Sequence, residues 1–172
     1  MATVGTLFSR QSAPLIGVDI SSSSVKLVEL DRDKSGTLVL ERCAIEPLER
    51  GWIVDGNIEK FDEVAEAVRR VVKKSGTRTK NVALALPPSA VITKRIILPG
   101  GLSDLELEVQ VESEANQYIP FSLDEVSLDF CVIGPSANST GDVDVLIAAS
   151  RKEKVQDRQG LAEAAGLKPV VV

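Results

Sequence analysis

Leu15-Ile-Gly-Val-Asp-Ile-Ser-Ser-Ser-Ser-Val-Lys26 runs from an apolar strand through an aspartate and a serine run to a lysine. A tight strand, turn, strand unit of this composition points backbone N–H groups and short hydroxyls at an anion, as other backbone nests do. Asp19, fixed at the strand end, suits a hydrated Mg²⁺, which keeps several waters and takes only one or two protein carboxylates. Lys26 follows as a point charge for a phosphate oxygen. The phosphate reading therefore enlists Gly17, Asp19, Ser21, Ser22, Ser23, Ser24 and Lys26, with Asp19 on the metal side. The same residues also suit a plain β-hairpin, because Asp and Ser are ordinary turn formers. The stretch alone leaves both readings open.

The motif resembles the first phosphate loop of the actin-like ATPase superfamily, hydrophobic-x-Gly-hydrophobic-Asp-x-Gly-Ser/Thr with a Lys a few positions on. Ser21 stands where most of that superfamily has glycine, which makes nucleotide contact better supported than nucleotide turnover.

Composition narrows the class. A chain of 172 residues with 44% apolar content has material for a core, and its scarcity of aromatics means Val, Leu, Ile and Ala must build it. A net charge of −5 argues against broad nucleic-acid binding, which needs clustered Lys and Arg. Cys43 and Cys131 stand apart without Cys-x-x-Cys or His neighbours, so we expect two buried thiols in a reducing cytoplasm. No run reaches the ~18 apolar residues of a membrane span, and Met1 to Pro14 reads as a flexible leader, so any membrane connection is expected to run through a partner.

Outward from the serine turn, Leu15 to Ile20, Ser24 to Asp31 and Thr37 to Ile45 read as a β-meander. Ile58, Phe61, Val64, Ala65, Val68, Val71 and Val72 form a helical stripe that Gly76 stops, and Asn81 to Leu86 is a buried strand closed by Pro87-Pro88. Val91 to Leu98 opens a second unit. Ser103 and Glu106 make a capping box for a helix whose Leu107, Val111, Ala115 and Tyr118 are expected to face inward. Strands at Glu125 to Ile133 and Val143 to Ala149 follow, then a helix from about Arg151 to Ala165 and a strand beginning at Lys168. Trp52, in the loop-like Arg50-Gly-Trp-Ile-Val-Asp-Gly56, is expected to anchor packing, with a binding role left open.

The order strand, helix, strand, strand over residues 91 to 149 resembles the SHS2 subdomain that FtsA and PilM carry at the position called IC, and the preceding elements resemble the opening of subdomain IA. The expected fold is therefore α/β: a partial actin-like (ribonuclease H-like) subdomain IA at 15–90, an SHS2-like subdomain IC at 91–165, and the start of a return strand at 166–172. Ile16 to Leu30, Ala90 to Lys94, Glu112 to Pro120 and Glu125 to Phe130 together look like the N-terminal half of the PilM family of type IV pilus assembly proteins. In that family the Asp-Ile-Ser-Ser form of the loop is usual.

The resemblance implies a cytoplasmic scaffold at the inner membrane. It implies ATP and Mg²⁺ bound in the cleft of the complete protein, and a groove near IA and IC that takes the N-terminal peptide of a PilN-type membrane protein alongside other pilus assembly components. A complete member continues with a second phosphate loop and an adenosine pocket, so this chain reads as an N-terminal half with weak ATP binding and a tendency to self-associate through an unpaired strand edge. An FtsA-like filament-forming ATPase and a GspL-like type II secretion domain are the alternatives. With no histidine, no nucleophile and base pair and no Gly-x-x-x-x-Gly-Lys-Ser/Thr loop, catalysis by this chain is not expected.

Overall fold

The computed structural model describes residues 14–172. The expected leader at 1–14 lies, but for Pro14, outside the described residues. The meander forms as read: β1 (Ile16–Ile20), β2 (Ser24–Arg32) and β3 (Leu38–Pro47) pair antiparallel in sequence. Alternation explains its orientation, since Ile16, Val18 and Ile20 of β1 and Val25 and Leu27 of β2 all turn to one buried face. Two residues each of β4 (Ile53–Val54) and β5 (Asn57–Ile58) then make a small hairpin before α1 (Phe61–Ser75). The stripe read from sequence is the buried stripe of α1 through Val64, Ala65, Val68 and Val71, whereas Ile58 belongs to β5 and Phe61 is partly exposed at the helix start.

Parallel pairing with β1 places β6 (Asn81–Leu84) on its free side, and β10 (Lys168–Val171) pairs parallel outside β6. The five-stranded order is thus β10-β6-β1-β2-β3. Between β6 and β10 the chain builds a second, three-stranded sheet, ordered β7-β9-β8, from β7 (Ile92–Pro99), β8 (Val126–Pro135) and β9 (Asp142–Arg151), with α2 (Asp104–Tyr118) between β7 and β8. The capping box is formed: the Glu106 N–H donates to Ser103 Oγ, and the Ser103 N–H donates to Glu106 Oε2 at 2.9 Å. Leu107, Val111 and Ala115 of α2 pack on Ile96, Leu98, Val145 and Ile147 as a core of their own.

Three expectations need correction. Tyr118 is 43% exposed, with Lys94 Nζ 4.5 Å from its ring centroid, because at the helix end the inward position passes to Ile119. Cys43 and Cys131 are exposed rather than buried. In β3 it is Ala44, the neighbour of Cys43, that turns to the core, and in β8 Cys131 alternates with the core-facing Phe130.

The third difference concerns α3 (Lys152–Ala164). Grouped with the second unit by its place in the chain, it buries Leu161 and Ala162 in the core of the five-stranded sheet, together with Val64 and Val68 of α1. Two further contacts fix it there. Arg69 Nε of α1 donates to the Ala164 carbonyl at 2.8 Å, answering one of the orphan carbonyls at the end of α3, and the Phe61 ring lies against Gly160, where an added Cβ would stand 3.3 Å away.

One buried carboxylate ties the sheet to the loop that follows α1. Glu29 of β2, its side chain 12% exposed, accepts from Thr79 Oγ1 at 2.6 Å and from Arg42 Nη1 at 3.0 Å. The Thr79 hydroxyl, helped by Thr77 and Arg42, holds its pKa below the ordinary glutamate value despite burial. A depressed folded-state pKa contributes stability that is fully present above the unfolded value, ~4.3, and is lost as the pH falls through the folded one. Glu29→Gln is therefore expected to flatten the loss of stability on acidification below about pH 5. Urea midpoints that fall equally steeply with pH in both proteins would rule this out.

Candidate functional site

The serine turn is stitched from within. Ser21 donates both its N–H and its hydroxyl to the Ser24 carbonyl, each at 3.0 Å, and the Leu48 N–H donates to the Ser23 carbonyl at 2.9 Å. These bonds use up Ser21 and leave Ser22 and Ser23 exposed, their N–H groups without a partner among the described residues. Asp19 and Lys26 face each other in the β1–β2 register, and Lys26 Nζ donates to Asp19 Oδ2 at 2.9 Å with both side chains about half exposed. Gly17, two residues before Asp19 on β1, has open space where a Cβ would stand. Free donors at Ser22 and Ser23, a lysine and a carboxylate oxygen to spare are a donor set that fits a phosphate with its Mg²⁺. The sequence reading placed Lys26 toward phosphate; here its nearest partner is Asp19.

A second feature is one that no single stretch of sequence announces. The chain crosses from the first sheet to the second at Pro87-Pro88-Ser89-Ala90, and Ser150 Oγ at the end of β9 donates to the Ala90 carbonyl at 2.7 Å, pinning the crossover. Lys152 Nζ donates to the Asp124 carbonyl at 2.7 Å, and the Arg151 guanidinium sits over the Phe121 ring at 5.5 Å from its centroid. Between these contacts opens a mainly apolar cavity of about 250 Å³ whose wall includes Gly56, Pro87, Ile92, Phe121, Ala149 and Arg151. That is below the ~300–1,000 Å³ of common small-molecule pockets, so it suits side-chain anchors of a peptide better than a nucleotide.

The outer wall is the β4–β5 turn. Asp55 and Gly56 take φ of 49° and 81°, the pair of positive angles that a two-residue hairpin turn requires. A Cβ on Gly56 would lie 2.9 Å from Pro87 Cγ, so glycine is needed there for close approach as well as for φ. Behind the turn, Arg158 Nη2 donates to the Gly56 carbonyl at 3.2 Å. The Asp-Gly pair was the available signal for this hairpin; with strands of only two residues the segment reads as loop. Trp52 is partly buried against the first core, and its carbonyl accepts from the N–H groups of Glu59 and Lys60, closing the same loop.

Among the described residues no helix is long and apolar enough to cross a membrane, and no group of His, Cys, Asp and Glu is placed to hold a metal by itself.

Comparison with known proteins agrees with this architecture. A solved structure described as "PilM-PilN type IV pilus biogenesis complex" superposes with a TM-score of 0.81 at 31% identity, over 93% of this chain and 47% of the other. The chain thus spans about half the length of that relative. A structure of diol dehydratase-reactivating factor in nucleotide-free form aligns over 51% of this chain and 14% of its own at 18% identity and a TM-score of 0.31, too low to carry an argument. The first match supports the mixed α/β, actin-like reading of the fold, and neither comparison favours the FtsA-like or GspL-like alternatives. A family model described as type IV pilus assembly protein PilM matches residues 17–172, and the chain belongs to that family.

Proposed function

We propose that this chain is the peptide-recognising half of an actin-like scaffold of the type IV pilus inner-membrane platform, and that its groove takes the cytoplasmic N-terminus of a PilN-type membrane protein. The observation that carries the reading is the apolar cavity at the crossover between the two sheets, in a chain that superposes on a protein solved as a complex with PilN. A buried apolar centre with a polar rim is how a short peptide is held, and Ile92, Phe121 and Ala149 supply the centre while Arg151 and Lys154 supply the rim. Attachment through such a partner is the proposed route to the membrane, since among the described residues no helix is long and apolar enough to cross one.

In the complete protein, Gly17, Asp19, Ser21, Ser22, Ser23, Ser24 and Lys26 are the residues proposed to hold the phosphates of ATP, with Asp19 toward the Mg²⁺. Bound nucleotide would supply a charged, removable ligand that biases one arrangement of the two halves. Of this set, Ser22 and Ser23 offer free donors, Ser21 keeps the turn closed and Lys26 neutralises Asp19 until a cation does so. The open strand edges of β3 and β10 support the expectation of self-association at high concentration.

Calorimetric titration of the chain with the N-terminal peptide of its PilN-type partner tests the proposal. Saturable binding at micromolar peptide is expected, with a negative heat-capacity change from apolar burial. A flat titration at high micromolar peptide would remove the groove assignment.

A further inference from the structure

The inward stripe of α3 is interrupted by an arginine. Leu161 and Ala162 follow Arg158 at three and four residues, the spacing of one helix face, and both belong to the first core. Arg158 is carried in with them and is 2% exposed, at a position where an aliphatic side chain is the ordinary choice. Among the described residues its guanidinium forms no ion pair. Nη2 donates to the Gly56 carbonyl at 3.2 Å, and Nε lies buried with no partner. A buried charge without a carboxylate, and with an N–H unanswered, lowers stability. The one bond it makes goes to the outer wall of the groove.

That wall is weak by itself. β4 and β5 have two residues each, and a two-stranded ribbon has little stability of its own. Asp55, a residue with a Cβ, must also hold a φ of 49°. Among the described residues no side chain but that of Arg158 hydrogen-bonds any residue from 53 to 58. Resting on the reading of the groove given above, we infer that Arg158 is a positioning residue for peptide recognition, which fixes the β4–β5 turn from behind. It does not line the cavity; it acts through the Gly56 backbone, and a charged donor holds that carbonyl more firmly than a neutral one. Gly56 stands so near Pro87 that a Cβ on it would come within 2.9 Å of Pro87 Cγ, so a small shift of the turn reshapes the wall they share.

Arg158→Met separates this role from a purely structural one. Methionine completes the apolar stripe of α3 and removes the buried charge, so the urea midpoint is expected to hold or rise. The PilN-type peptide is expected to bind about tenfold more weakly in calorimetry, and the Gly56 and Asn57 amide resonances to move. Arg158→Lys, which keeps a charged donor for the Gly56 carbonyl, should restore part of the affinity. Gly56→Ala displaces the same wall from its other side, so Arg158→Met added to it should cost little further affinity, a non-additivity expected of two residues acting on one wall. Wild-type affinity in Arg158→Met, additive losses in the double variant, or an affinity loss that only tracks a loss of folded protein overturns the inference and leaves the groove assignment standing. A wild-type chain that binds no peptide removes the groove itself, and the role of Arg158 with it.

Discussion

Leu161→Ala is expected to destabilise the chain by about 2–5 kcal/mol, a large part of the stability of a domain of this size. Leu161 is fully buried, and it sits among Val64, Val68 and Val71 of α1 and Val82 of β6, where the helices close over the five-stranded sheet. Removing its branched end deletes apolar burial and leaves a cavity between two helices and a sheet, three elements that cannot all shift to fill it. The substitution also tests the allocation of α3. If α3 belongs to the first core, hydrogen exchange in β1 and β6 should accelerate more than in α2 and β9, because stability is lost in the unit whose packing is broken. A loss below about 1 kcal/mol in urea denaturation, or exchange that rises first in α2, would show that α3 is only loosely docked on the first sheet.

The allocation of α3 also shows where the sequence was readable. Strand alternation in Ile16, Val18 and Ile20, the helical stripe of Val64 to Val71 and the Ser103–Glu106 capping box are local signals, each read within one or two turns of chain, and each is found in the structure. The helix Lys152–Ala164 was legible as a helix, but not its partners, because Leu161 meets Val64 across almost a hundred residues. Cys43 and Cys131 were misplaced for a related reason. A strand whose pattern is nearly continuous in apolar residues does not declare which face is covered, and the outer faces here carry exposed Val28, Leu30 and Ile45. The serine turn, confined to one stretch, was legible as the turn joining β1 to β2, though not that Ser21 would spend its donors on Ser24. The groove was illegible, since its wall draws on four separate segments around Gly56, Pro87, Phe121 and Ala149.

The second large effect is expected at Phe121. Its side chain lies at the groove, 39% exposed, and carries the Arg151 guanidinium on its face, so it shapes both the apolar centre and the polar rim. Being outside the buried core, it can be removed at little cost to folding, which separates recognition from stability. Phe121→Ala should weaken the PilN-type peptide about 30-fold, close to 2 kcal/mol, the loss typical when an aromatic anchor of a small interface is truncated. The loss has two sources, apolar area left in water and a guanidinium freed from its cation–π contact, which is worth ~0.5–1 kcal/mol at an exposed site. Phe121→Leu, which keeps most of the apolar contact and loses the π face, should fall between the two and so apportion them. Should Phe121→Ala bind as tightly as wild type in calorimetry while unfolding at the same urea concentration, the peptide must lie elsewhere. The second apolar hollow, lined by Leu86, Val91, Leu128, Val155 and Val172, would then be the next place to place it.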